Sequence, residues 1–235
     1  MERVLKLDMT ALFNVRNVNA LERLFIYICL YTGSILDVQT CANALKMQRS
    51  TIDNHLELLE QANLIHRLPP VEIGGKKILK ARNKVYLVDA ALRNAVLLRD
   101  EEVFTDSTEM GVLLETTVLR HLIAFLYRDT PKISYWRDPK SDKEVDVIVQ
   151  SPAYTLPVEV KYRETESVSE SSGLIAYCRK ETVRHAYWVT KREDDFGIEA
   201  VPDLATKFMR IPAHIFCYLL GQAERMPSTE QFNQT

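Results

Sequence analysis

Cysteine is scarce in this chain, and the four present (Cys29, Cys41, Cys178, Cys217) are far apart with no CxxC pair. That spacing argues against a disulfide framework and a zinc ribbon, and it predicts reduced, mostly buried thiols in a cytoplasmic protein. The five histidines are equally scattered, so no His-rich metal site is expected. No apolar run reads as long enough to span a membrane, and the opening MERVLKLDMT lacks the hydrophobic stretch of a signal peptide. Internal repeats and low-complexity tracts are absent too. What remains is an ordinary globular composition, 46% apolar and 26% charged, over 235 residues. This is room for one large domain or two small ones.

A net charge of −2 gives the whole chain no polyanion-binding character. The charge is unevenly placed, however. Residues 1–100 hold 14 Lys and Arg against 10 Asp and Glu, while the rest of the chain holds 16 against 22. A basic first part and an acidic second part fit a nucleic-acid-contacting module followed by one that gathers a cation.

In the first part, Leu21 to Tyr31 carries Leu21, Leu24, Phe25 and Ile28 at helical spacing and stops at Gly33. Asp37 is placed to cap a short helix running through Leu45. After the turn at 46–48, a third helix is predicted from Ser50 to Ala62, with Ile52, Leu56 and Leu59 inward and Asn63 closing it. Three short helices in this order read as a helix-turn-helix. Arg49, Ser50, Thr51, Asn54 and His55 then fall on the outer face at the start of the recognition helix. Val71 to Leu79, with Gly74-Gly75 at its tip, reads as a hairpin wing closed by a strand from Lys84 to Val88. Lys76, Lys77 and Lys80 stand on that wing among six basic residues between Arg67 and Lys84, suited to phosphates. The same module would also serve as a protein adaptor or rigid spacer. Residues 90–110 read as a connector, giving domains at 1–100 and 101–235.

In the second part, Gly111 to Tyr127 is predicted helical, and Glu115 falls on its apolar stripe by spacing to Val118, Leu119 and Leu122. A carboxylate there calls for a partner or a metal. Strands are predicted at Ile133–Arg137, Glu144–Gln150, Leu156–Tyr162 and His185–Thr190, with a short one at Ile198–Val201. A helix is predicted at Ser169–Lys180, and an apolar helical stretch lies within Leu204–Gly221. Alternation puts Val145, Val147 and Val149 on one face and Asp146 on the other. On the next strand, Val158 and Val160 oppose Glu159 and Lys161. Two carboxylates and an ammonium are costly to gather unless used, and paired carboxylates suit Mg²⁺ or Mn²⁺. Glu–Lys pairs on a solvated strand face are the bland alternative.

A helix with Glu115, then strands carrying Asp146 and Glu159-x-Lys161, then a helix and a strand, resembles the PD-(D/E)XK superfamily. Its restriction-endonuclease-like αβββαβ fold would cover roughly residues 111–192, within an α+β chain that opens with a winged helix. The runs NKVYLVDAAL, GVLLETTVLRHL, YWRD, EVDVIV and PVEVKY are also similar to the C-terminal region of certain prokaryotic AAA-type ATPases. No GxxxxGK[ST] occurs here, so ATP binding is not carried over. The resemblance implies Asp146, Glu159 and the Val160 carbonyl as metal ligands, Glu115 completing the acidic cluster, and Lys161 orienting water or stabilising the phosphorus centre. Glu144-Val145-Asp146 replaces the Pro-Asp pair, and Glu144 shares the face of Asp146 in the alternation. The expected activity is metal-dependent phosphodiester hydrolysis, with DNA as partner and an AAA-type ATPase as a further partner in cis or trans. The alternative is a non-catalytic DNA-binding or docking module that regulates such an ATPase.

Overall fold

The computed structural model describes residues 17–71, 82–162 and 172–223. It is an α+β protein with two sheets among the described residues, divided into two compact units: residues 1–69 with 73–106, and residues 70–72 with 107–235.

In unit 1, α1 (Val18–Tyr31) starts at Asn17, whose side chain accepts from the Ala20 amide. It is followed by β1 (Ser34–Ile35), α2 (Val38–Leu45), α3 (Arg49–Gln61), β2 (Ile65–Leu68), β3 (Lys84–Leu87) and α4 (Ala90–Leu97). Asp37 caps α2 as expected, accepting from Thr40 N at 2.7 Å. Asn63 takes a positive φ of 53° just past α3, as a helix-ending residue does. The strands form an antiparallel sheet in the order β1-β3-β2. Leu21, Leu24, Phe25, Ile52, Leu56, Leu59 and Ile65 close the core. The predicted connector proves to contain helix: Asp89 caps α4, Arg93 donates to the Cys29 carbonyl at 3.0 Å, and a 3₁₀ turn spans Glu101–Thr105. The Gly74-Gly75 tip and Lys76, Lys77 and Lys80 lie outside the described residues.

Unit 2 opens with α5 (Ser107–Leu126) and a 3₁₀ turn to Asp129. By length and composition this helix could cross a bilayer, which corrects the expectation that no run was long enough. Its buried stripe is Thr116, Val118, Leu119, Leu122 and Leu126. Then come β4 (Lys132–Arg137), β5 (Glu144–Gln150), β6 (Thr155–Lys161), α6 (Gly173–Cys178), β7 (His185–Thr190), β8 (Gly197–Ala200), β9 (Lys207–Pro212) and α7 (Ala213–Ala223). The sheet order is β4-β5-β6-β7-β9-β8, with β6–β7 and β7–β9 parallel and the other pairs antiparallel. The expected helical stretch after Leu204 divides into β9 and α7. Phe208 faces Trp188 on one side of the sheet, and Tyr187 meets Phe216 of α7 on the other.

One irregularity shapes this sheet. β4 and β5 pair Ser134 with Ile148 but Trp136 with Val145, so Asp146 and Val147 together oppose Tyr135. This is a β-bulge, which bends the strand and shifts the alternation by one. Val145 therefore packs with Ile148, Trp136 and the α6 residues Leu174, Ile175 and Tyr177. The expected common face for Val145, Val147 and Val149 is thereby broken.

Candidate functional site

The β5–β6 ladder runs from Gln150–Thr155 to Val147–Val158 and stops there. Beyond it, Val145 and Glu144 pair outward with β4, while Glu159, Val160 and Lys161 pair outward with β7. The two strands part into a fork. The Asp146 carboxylate reaches across it and accepts the Val160 amide at 2.8 Å, replacing a backbone partner with a side chain. The fork thus forms where the bulge lies.

Glu159 is the buried charge of this region, only 3% exposed. Its Oε1 lies 2.6 Å from Lys161 Nζ. Its Oε2 accepts from Ser172 Oγ at 3.0 Å and from Leu174 N at 2.9 Å, at the start of α6. A buried carboxylate is stable only when charged or polar donors surround it, and here an ammonium, a hydroxyl and an amide do so. α6 itself is seated by backbone contact. A Cβ on Gly173 would stand 1.8 Å from the Glu144 carbonyl oxygen, so only glycine fits against this edge of the fork. The other end of α6 is tied down by Lys180, whose Nζ donates to Asp138 Oδ1 at 2.9 Å and lies 5.0 Å from the centre of the Trp136 ring. The Ser141 hydroxyl and the Lys180 ammonium hold the Asp138 carboxyl down at about 2.

The structure therefore brings together Asp146, Glu159, Val160 and Lys161. Glu115 is half-buried on α5 beside the inward Thr116, at the margin of the stripe. Among the described residues, no group of three or more Asp, Glu, His or Cys side chains gathers to hold one metal ion, so Glu115 does not join Asp146 and Glu159 in such a group. Glu144 contributes its backbone against Gly173, and its carboxylate lies 3.9 Å from Arg137.

Sequence reasoning missed Ser172 and the Leu174 amide as partners of Glu159. The Ser-Gly pair ahead of an apolar run was the available signal, since serine caps helices. In unit 1, Arg49, Ser50 and Asn54 are exposed and Thr51 is half-buried on α3, with Arg49 facing Asp53 at 3.7 Å. His55 was expected beside them and is buried instead, at 8% exposure. It stands three residues after Ile52 and four before Leu59, on the inward stripe. A cavity of about 120 Å³ in unit 1 is lined by Tyr27, Tyr31, Asp37 and Thr40, and none of the residues expected to act in catalysis, metal binding or DNA contact borders it.

Comparison with known proteins divides the chain in a similar way. Residues 1–103 match a family described as a domain of unknown function (DUF8612), and residues 110–212 match a second domain of unknown function (DUF4143). An uncharacterized protein of Haemophilus influenzae is 25% identical over 166 residues, covering 68% of this chain and 38% of that protein. Uncharacterized proteins of Mycobacterium bovis and Mycobacterium tuberculosis are each 25% identical over 152 residues, covering 64% of this chain and 34% of theirs. The matched stretch spans little more than a third of the first relative and about that share of the other two. The chain is thus similar to two families of unknown function, one after the other, and to stretches of longer uncharacterized proteins.

Proposed function

We propose that this chain is a nucleic-acid-processing module in which a winged helix precedes a restriction-endonuclease-like domain. The proposed reaction is phosphodiester hydrolysis, with DNA as substrate and Mg²⁺ or Mn²⁺ as cofactor. The observation that carries this reading is the fork, where a bulge, a parted strand pair and the Asp146, Glu159 and Lys161 side chains coincide. Strand partings and bulges beside polar clusters are characteristic of sites rather than of cores. The element order from α5 through β7 supports the αβββαβ assignment.

The donor set fits a hard divalent ion. Mg²⁺ is commonly held by one or two carboxylates, with waters and substrate phosphates completing its shell. Asp146 and Glu159 supply such oxygens, the Val160 carbonyl is adjacent in sequence, and Glu159 already accommodates a cation in the form of the Lys161 ammonium. When bound, the ion supplies Lewis-acid polarisation of the phosphoryl group and a water of lowered pKa. The chain's own contribution is preorganisation. Ser172 and Leu174 N fix the Glu159 carboxylate, Asp146 is fixed by the Val160 amide, and Lys161 brings a positive charge to where negative charge develops on the phosphate. In unit 1, Arg49, Ser50, Thr51 and Asn54 on α3 would meet the duplex, together with Lys76, Lys77 and Lys80.

The test uses purified chain with Mg²⁺ or Mn²⁺ and mixed single- and double-stranded DNA. Cleavage that Asp146→Asn and Lys161→Ala both abolish supports the proposal. Absence of cleavage, or equal cleavage by the variants, rejects it.

A second reading rests on the burial of Glu159 and its already occupied oxygens. In it the fork is a structural latch, and the chain is a non-catalytic DNA-binding or docking module regulating an AAA-type ATPase. This version predicts no saturable Mn²⁺ uptake sensitive to Glu159→Gln.

A further inference from the structure

Thr190 is a polar side chain of unit 2 that the packing does not explain. It ends β7, is 7% exposed, and its hydroxyl has no hydrogen-bond partner among the described residues. A buried hydroxyl left unpaired costs free energy, and valine would fill the same space without that cost. Its register partner on the parallel strand β6 is Lys161. Paired residues on parallel strands send their side chains to the same side of the sheet. Two residues earlier, Trp188 is paired with Glu159 and belongs to the cluster beneath α6, so Glu159, Lys161 and Thr190 share that side.

The Lys161 ammonium stands on Glu159 Oε1. If Glu159 is to hold a divalent cation, that ammonium has to leave, because two cations on one carboxylate oxygen repel and compete for the same lone pairs. A displaced ammonium needs an acceptor within reach of the same strand position. We infer that Thr190 is a positioning residue for Lys161, its hydroxyl accepting a hydrogen bond from the ammonium once Glu159 holds a divalent cation. This rests on the metal-site reading of the fork. The Thr190 hydroxyl, which has no partner among the described residues, would then be satisfied by the ammonium. Lys161 stays charged at the fork instead of swinging out to solvent.

The experiment titrates Mn²⁺ alone into the full chain and follows free Mn²⁺ by electron paramagnetic resonance. Thr190→Val is expected to weaken Mn²⁺ binding about tenfold, the worth of one hydrogen bond to a charged group. Thr190→Ser should keep the wild-type affinity, and thermal melts should show Thr190→Val no less stable than wild type. In a Lys161→Met background, Thr190→Val should change nothing, since there is no ammonium to place. Unchanged Mn²⁺ affinity in Thr190→Val overturns the inference, as does an equal loss with Lys161→Met present. If Lys161→Met does not fold, the contrast between valine and serine decides alone. Binding that Asp146→Asn abolishes and Thr190→Val leaves intact removes only the role of Thr190. Thr190-dependent binding without DNA cleavage removes only the nuclease activity. No Mn²⁺ uptake by the wild type removes both.

Discussion

The two ends of the β5–β6 pair are built from the same strands and behave as opposites. From Val147 to Gln150 the strands are zipped to β6 by regular pairing, and Val147, Ile148, Val149 and Val158 are fully buried. From Glu144 to Asp146 they part, and carboxylates, an ammonium and the start of α6 take over the roles of backbone and valine. The zipped end is held by burial of apolar surface, which tolerates small changes in shape. The open end is held by a few directional contacts that do not. Two kinds of cohesion thus lie along a single strand pair, and the two ends should respond differently to substitution.

The largest expected effect is at the open end. Gly173→Ala forces a methyl into the Glu144 backbone, and chemical denaturation should register a loss of at least about 3 kcal/mol or failure to fold. A stability change within 1 kcal/mol there would mean that α6 is not seated in the fork. At the zipped end, Val147→Ala removes two buried methyl groups, and urea melts should show a loss of about 2 kcal/mol. Its Mn²⁺ affinity should match wild type. A parallel loss of cation binding would merge the two ends into one cooperative site. Asp146→Asn inverts that pattern. An asparagine oxygen still accepts the Val160 amide, so the stability cost should stay near or below about 1 kcal/mol while Mn²⁺ binding and cleavage disappear.

The smallest effect concerns the far anchor of α6. The Asp138 carboxyl is held at about 2, below the ordinary aspartate value of about 3.9. A carboxyl depressed in the folded state stabilises fully above its unfolded pKa, and that contribution is lost as pH falls from about 4 toward 2. Asp138→Asn should lower stability modestly across the neutral range, where the wild-type carboxylate contributes, and flatten the acid limb between about pH 4 and 2 in a pH series of thermal melts. A wild-type acid slope in this variant would show that the Lys180 anchor carries no linkage.

Much of this arrangement was legible in the letters. Asp37 reads as a cap and is one, and the Glu159-x-Lys161 spacing placed both side chains on one face, where they meet at 2.6 Å. The bulge was not legible. In EVDVIV the alternation holds through Val147 and breaks at Ile148, but an apolar run there also fits a strand buried on both faces, and only the pairing to β4 reveals that Asp146 and Val147 share one partner. β9 was hidden because the strand runs straight into a helix, and Pro212 at the junction was the one signal that the apolar stretch changes there from strand to helix. α4 was read as connector because its eight residues are few for a periodicity to declare itself, although Asp89 announced its start. The partners of Glu159 lie at positions 172 and 174, on another element, and no spacing rule reaches that far. Glu115 shows the converse limit, since helical phase places a residue on a stripe without saying whether it lies at the centre or the margin.

The placement of the indoles has a practical result. The chain has two tryptophans, and both lie in the cluster beneath α6. Trp136 meets Tyr177 edge-on with Lys180 above it, while Trp188 stacks on Phe208 and is paired in register with Glu159. The molecule therefore carries its own optical probe, and its tryptophan emission, excited selectively away from the tyrosines, comes entirely from the neighbourhood where ligands would be felt. Titrations of the native chain can be followed in a fluorimeter with no dye, label or engineered chromophore.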